Sequence, residues 1–224
     1  MRLVLRIGGS VVASPSNAEL ISAYVKLLKK LKRQGHRIAV VVGGGSLARD
    51  FIRVAKSLRL AEKAQDEIAI SVTRLYAQLF LAKLGATGCG SVPTTLEDAL
   101  RCLNEGKIVV MGGLKPGMTT DTVAALIAKQ MQAELYIKGT DQEGIYNKDP
   151  KKHPDAVKLD RLRFSDLCQV LAENKHKAGI SQILDPEAVK LLQKRQMKVV
   201  VVNGNKTENV LLAVEGKKIG TLIS

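Results

Sequence analysis

Aromatic residues are scarce in this 224-residue chain, at 3%, and tryptophan is absent. A base-stacking surface for single-stranded nucleic acid needs such rings, and without them the core must be aliphatic. Cysteine is scarce too. Cys89, Cys102 and Cys168 lie far apart with no C-x-x-C, so zinc and thioredoxin-like chemistry have no ligand set. Three unpaired thiols suit a reducing, cytoplasmic compartment. No apolar run approaches the ~20 residues of a membrane-spanning helix. The opening MRLVLRIGGS enters a strand-like run at once, and we expect no signal peptide. Acidic residues are outnumbered, 21 against 35 Lys and Arg, for a formal net charge of +14. A basic chain attracts polyanions. The positive groups are dispersed, however, as in KKLKR at 29–33 and KDPKK at 148–152, and no recognition motif accompanies them. That argues against a nucleic-acid partner. Small phosphorylated ligands account for the excess equally well.

Apolar residues make up 46%, a globular composition with length enough for a buried core. Short apolar runs alternate with amphipathic stretches. Strands are expected at 3–7, 37–42, 108–111, 135–138 and 199–202, with GTLIS closing the chain as an edge strand. Helices are expected from Asn17 to about Gln34, from about Ser46, over roughly 64–84, after Thr95, from Asp121, and in two further segments after Asn147. Asp185 caps the second of these, with Pro186 at its first position. The alternation implies an α/β fold, with a mostly parallel open sheet covered on both faces. Two lobes are expected within one domain, about 1–133 and 134–224.

Three glycine loops each follow a strand and precede a helix: Gly8-Gly9-Ser10, Gly43-Gly44-Gly45-Ser46, and Gly112 to Thr120. Such junctions place free backbone N–H groups and a helix dipole where an anion can sit. Glycine often serves turn geometry alone, yet three such loops in one chain point to an anion site. Two look-alikes fail. GGLKPGMT from Gly112 has P-loop spacing, but Met118 stands where the phosphate-binding lysine belongs. GGGSLA from Gly43 fits the dinucleotide fingerprint. The acidic residues at the required distance, Asp66 and Glu67, fall within a helical pattern instead of at a strand end. Arg49 stands in the first turn of the helix after the triplet, where a cation opposes the dipole unless an anion is present.

RIGGS (6–10), VVGGGSLAR (41–49), MGGLKPGMTTDTVAA (111–125), GTDQEGIYNKDPKKHPDA (139–156), ILDPEA (183–188) and the terminal GTLI together resemble the amino-acid-kinase family. The likeness runs from the first strand to the last. It is greatest to the archaeal branch that phosphorylates UMP. The resemblance implies a three-layer α/β/α sandwich and transfer of the γ-phosphoryl of ATP to UMP, with Mg²⁺. It makes the first lobe the acceptor side and the second the ATP side.

Residue by residue, the resemblance assigns Gly9, Ser10, Gly45, Arg49, Thr140, Asp141, Tyr146 and Asp149 to ATP. Gly44, Asp66, Leu114, Lys115, Pro116, Gly117, Met118, Thr119 and Thr120 go to UMP, with Asp66 on the ribose. Arg49 and Arg6 take catalytic places, and Asp185 that of a site-organising aspartate. Asp185 as a helix cap, Tyr146 as packing, and Thr119 or Thr120 as a cap are the structural alternatives. The sequence departs from relatives in having Arg6 for a lysine, Gln182 for a lysine, and Thr140-Asp141-Gln142-Glu143-Gly144 for T-D-x-D-G. The resemblance also implies a hexamer built from dimers. Isopentenyl phosphate kinases share GGGS but continue with an aromatic-Gly-His pattern, where this chain has Leu47-Ala48-Arg49. A basic nucleic-acid-binding or regulatory protein retaining the fold is the reading from another class.

Overall fold

A computed structural model describes residues 1–13, 16–167 and 184–224. The apolar runs form strands β1 (Arg2–Ile7), β2 (Arg37–Val42), β3 (Val109–Met111), β4 (Leu135–Thr140) and β8 (Val199–Asn203). They are continuous and do not alternate, as strands buried on both faces require, and Val40, Tyr136 and Val201 are fully buried. Four short strands complete the main sheet and form a small ribbon. β7 (Arg161–Leu162) and β9 (Thr221–Ile223) join the main sheet, and β5 (Ile145–Tyr146) pairs antiparallel with β6 (Lys158–Leu159).

The seven-stranded sheet has the order β3-β2-β1-β4-β8-β9-β7. Its first five strands are parallel. β9 runs antiparallel to β8 and parallel to β7. The closing strand is therefore internal, and β7 takes the edge. β7 is two residues long, too short to show a periodicity in DRLRF.

Helices α2 (Ala18–Arg33), α4 (Glu62–Leu84) and α8 (Thr207–Val214) cover one face, with α3 (Gly45–Ser57) lying on α4. α5 (Leu96–Asn104), α6 (Thr120–Gln130) and α7 (Pro186–Lys194) cover the other. A short α1 (Gly9–Val12) follows β1. The start signals operate as side-chain caps. The Asn17 side chain accepts the Leu20 N–H at 2.8 Å, Thr95 that of Asp98 at 3.1 Å, and Asp185 that of Ala188 at 2.9 Å. Gly35 ends α2 at φ +83°, a conformation glycine adopts without strain.

From β1 the chain steps one way to β2 and β3, then returns to lay β4 on the other side of β1. Ligands of open α/β sheets bind at such a reversal, beyond the carboxyl ends of the strands. The ends of β1, β2 and β4 carry the first two glycine loops and Thr140. The first helix expected after Asn147 falls largely on 168–183, outside the described residues, as do Cys168 and Gln182. Cys89 and Cys102 are free thiols.

Candidate active site

A cavity of about 510 Å³ opens at the reversal. The two glycine loops that form its floor touch each other. A Cβ on Gly9 would lie 2.1 Å from Gly45 N, and one on Gly43 would lie 2.7 Å from Gly9 N. Backbone therefore meets backbone, and no side chain fits at either place. Gly44 is excluded by its own helix, since a Cβ there would meet Ala48 Cβ at 2.6 Å. Gly45 adopts φ +60°. The α3 N-terminus carries no side-chain cap, and Gly44 and Gly45 line the cavity. The N–H groups that a helix start turns outward suit an anion. Arg49, exposed at the cavity mouth, has no ion-paired carboxylate among the described residues.

Behind the loops lies a buried charge cluster. Arg6 and Lys138 are register partners on β1 and β4. Asp121, in the first turn of α6, reaches both. Its oxygens accept from Lys138 Nζ at 2.5 and 2.6 Å, and Oδ1 lies 2.7 Å from Arg6 Nε. Arg6 Nη2 donates to Thr120 Oγ1 at 2.7 Å. Arg6 Nε is buried without a well-aligned acceptor, and Nη1 lies beneath Gly8 and Gly43, 3.3 and 3.4 Å from where their Cβ atoms would be. Burial lowers the Lys138 pKa to about 8, although Asp121 opposes the shift. Burial alone would raise that of Asp121, but Arg6 and Lys138 outweigh it and hold the carboxyl below its ordinary range. Two cations on one carboxylate leave positive charge facing the cavity, where Arg6, Asp121 and Lys138 all contribute to the wall.

On the loop from Thr140 to Lys151, Thr140, Asp141, Tyr146 and Asp149 line the same cavity, as do Arg6, Gly9, Ser10 and Thr120. Asp141 is bound by Lys151 Nζ at 2.7 Å. Burial works against its ionisation, yet Lys151 holds its pKa below the usual value. Asp149 accepts the Lys151 backbone N–H at 3.0 Å, which fixes the turn that brings Lys151 back over the cavity. The β5–β6 ribbon behind Tyr146 is pinned by Thr221 Oγ1, which accepts the Ile145 N–H at 2.8 Å.

The remaining expected residues stand apart from these. Asp66 accepts the Gly117 N–H at 2.7 Å, so it meets the 114–118 loop directly. Arg74 holds the same loop, through Nε to Gly113 O at 3.1 Å and Nη2 to Leu114 O at 3.0 Å. Gly117 turns at φ +76°. Thr119 caps α6 by accepting the Thr122 N–H at 3.1 Å. Asp185 does not touch Arg6 or Lys138. Its carboxylate caps α7 and accepts hydrogen bonds from the Thr119 and Thr122 hydroxyls, the latter at 3.0 Å, tying α6 to α7. Among the described residues no group of three or more His, Cys, Asp or Glu side chains is placed to hold a metal.

The amino acid kinase family profile matches residues 1–203. The chain belongs to the amino acid kinase family. It is 41% identical to the uridylate kinase of Methanocaldococcus jannaschii over 225 residues, which covers all of this chain and 99% of that one. It is 39% identical to the uridylate kinase of Methanothermobacter thermautotrophicus over 223 residues, again with full coverage of this chain and 99% of the other. The crystal structure of uridylate kinase from Archaeoglobus fulgidus superposes with a TM-score of 0.89 at 35% identity, over the whole of both chains. UMP kinase from Bacillus anthracis, at 19% identity, shares the fold with a TM-score of 0.83 over all of this chain and 95% of that one. The three-layer sandwich expected from the sequence is the fold of this family.

Asp121, Lys138, Lys151 and Arg74 escaped the sequence reading of this kinase-family chain. Lys138 had a signal: a lysine inside the otherwise apolar LYIKGT needs a buried counter-charge. Asp121 reads equally well as an ordinary acidic residue in the first turn of a helix, and its pairing shows only when α6 is placed against β1 beside β4.

Proposed function

We propose that this chain is an ATP-dependent UMP kinase that makes UDP and ADP. The observation that carries the reading is the convergence of two loop systems on one cavity, in a chain similar along its whole length to uridylate kinases. The glycine loops face the loop from Thr140 to Lys151 across the buried Arg6–Asp121–Lys138 cluster. The residues up to about 133 form the acceptor side and those from about 134 the ATP side. Relatives named as uridylate kinases span the whole chain, and nothing favours isopentenyl phosphate kinase or a regulatory protein that kept the fold.

A phosphate monoester has a second pKa of about 6, so UMP arrives largely as a dianion and needs no general base. An oxygen of its phosphate forms the new bond to the γ-phosphorus, while the bridging bond to ADP breaks. The obstacle is repulsion between two anions, and the protein's task is to align them and absorb charge. Arg6 and Lys138, fixed by Asp121, present charge from below. The α3 N-terminus presents N–H groups, and Arg49 closes from the mouth. Asp121 is occupied by two cations and serves as their anchor, not as a base. Thr140 and Asp141 take the phosphate end of ATP, and Tyr146 and Asp149 the nucleoside end. Asp66 holds the UMP ribose, with Leu114 to Thr120 around the nucleotide.

Mg²⁺ fits here as a passenger of the ATP phosphates, with Asp141 as the carboxylate for its hydration shell. When bound there it would neutralise charge on the transferred group. The compartment is cytoplasmic. Among the described residues no helix is long and apolar enough to cross a membrane.

An oligomer has its own support. Leu47, Phe51 and Val54 on α3 and Leu58 just after it are exposed, at 37 to 65%, as are Leu75 and Leu79 on α4, the helix on which α3 packs. Clustered exposed apolar side chains mark an interaction surface, and a second copy of the chain covers this one in a dimer that builds a hexamer.

The deciding experiment is ADP release from ATP and Mg²⁺ with UMP, CMP, AMP and isopentenyl phosphate as acceptors. UMP should exceed the others; equal turnover of any of them removes the assignment.

A further inference from the structure

A second cavity, of about 620 Å³, lies on the far side of the ATP-side loop. Its floor is apolar. Val200 and Leu222 are register partners on β8 and β9, and Ala213 from α8 lies beside them. Its rim is basic, with Lys158, Arg161, Lys198, Lys217 and Lys218. Two acids also line it, but both are engaged. Asp160 pairs with Lys158, and Glu143 pairs with Lys206 at 2.9 Å. Arg161, Lys198, Lys217 and Lys218 form no ion pair among the described residues. A solvated basic surface is ordinary; a basic rim around an apolar hollow of ligand size is a binding geometry.

The rim is also held in shape. The turn carrying Lys217 and Lys218 lies between Gly216 at φ +73° and Gly220 at φ +63°. A Cβ on Gly220 would stand 1.9 Å from Val201 O, so this turn can pass the sheet only with glycine there. Lys217 N–H donates to Leu212 O at 2.9 Å, which closes the turn onto α8.

The two cavities share a wall. Gln142, Gly144 and Tyr146 line the catalytic one, and Glu143, between them, lines the second. Lys158, on the second rim, is the register partner of Tyr146. Its stem passes 3.2 Å from where a Gly144 Cβ would be, and its Nζ donates to Gly220 O at 3.0 Å. An anion that draws Lys158 from Asp160 and Gly220 must act on the strand opposite Tyr146.

We propose that this pocket is a second ligand site, which takes a small organic phosphate and transmits its occupation to the ATP-side loop. The cations select a phosphate, and the floor of Val200, Leu222 and Ala213 selects an organic body over a bare ion.

Phenyl phosphate is a suitable probe, since it carries both features and is not a nucleotide. Its binding to the full chain is measured by calorimetry with the catalytic cavity saturated by UMP and a non-hydrolysable ATP analogue with Mg²⁺. One molecule should bind per chain. Inorganic phosphate should bind at least tenfold more weakly, and Lys217→Glu/Lys218→Glu should lose at least tenfold in phenyl phosphate affinity. In steady-state assays, saturating phenyl phosphate should change the KM for ATP at least threefold in the wild type and leave it unchanged in the double variant. No saturable binding, equal binding by the variant, equal binding of inorganic phosphate, or an unmoved KM for ATP each overturns the proposal. The calorimetric result does not depend on turnover. Phenyl phosphate binding by a chain that makes no UDP sinks the proposed function and leaves this site standing.

Discussion

Asp121 and Lys138 are joined by two hydrogen bonds, of 2.5 and 2.6 Å, with side chains only 11 and 5% exposed. Arg6 completes the cluster from the neighbouring strand. Removing one member of such a set leaves buried charge without a partner, which costs about 3–5 kcal/mol. Asp121→Asn should lose stability on that scale in denaturant unfolding and lose turnover with it. The depressed carboxyl gives the sign with pH. Its contribution is present above the ordinary carboxylate range and fades as pH falls through the lowered native pKa. Wild-type midpoints that stay flat in acid where those of Asp121→Asn are also flat would detach the carboxylate from stability.

The Lys138 pKa, lowered by burial to about 8, predicts a limb on the alkaline side. If the ammonium must hold a phosphoryl oxygen, kcat/KM falls as pH rises through about 8. Bound nucleotide phosphates favour the charged form, so the limb in kcat lies higher. Lys138→Arg should move the limb beyond the accessible range. Stability runs the other way. The unfolded lysine stays protonated to its ordinary value, so the native state gains relative stability between about pH 8 and that value. A kcat/KM profile flat across pH 7–9.5 refutes a charged Lys138 in the reaction.

Arg49 stands at the cavity mouth in the first turn of α3, without an ion pair among the described residues. As a group acting on the transferred phosphoryl, its loss in Arg49→Ala should lower kcat and kcat/KM together. A raised KM with kcat intact assigns it to ground-state binding instead.

Asp66 holds the Gly117 N–H with one oxygen. Charge-assisted bonds from ribose hydroxyls to the same carboxylate are worth about 1.5–3 kcal/mol, or roughly 10- to 150-fold in kcat/KM for UMP. Asp66→Asn keeps an acceptor for Gly117 and separates the two roles. It should still lose part of the wild-type preference for UMP over dUMP. An Asn variant with the wild-type preference, beside an Ala variant impaired equally on both substrates, confines Asp66 to holding the loop.

The core strands and the helix starts were legible in the sequence because each rests on a local signal, while their order in the sheet was not. Continuous apolar runs marked β1, β2, β4 and β8, and Asn17, Thr95 and Asp185 marked caps that the structure contains. Glycine loops at strand ends marked the cavity floor. The two-residue strands β5, β6 and β7 were not legible, since a pair of residues has no period, and without β7 the closing strand read as an edge. The charge cluster was not legible for another reason. Residues 6 and 138 meet through the pairing of β1 with β4, and Asp121 joins them through the packing of α6 on β1, neither of which a local pattern encodes. Asp185 carries a cap signal and a family likeness at the same position. Its carboxylate is taken up by the cap and by Thr119 and Thr122, while Asp121 binds the two cations.

The pairing of β1 with β4 sets Arg6 directly opposite Lys138. Like charges facing each other across a strand pair oppose its formation, and here the pair is the centre of the sheet. Asp121, arriving with α6, offsets that repulsion by pairing with both cations. The charge balance at the centre of the sheet is completed when the helix docks, so the three residues that wall the cavity also tie the seating of α6 to the joining of the two central strands.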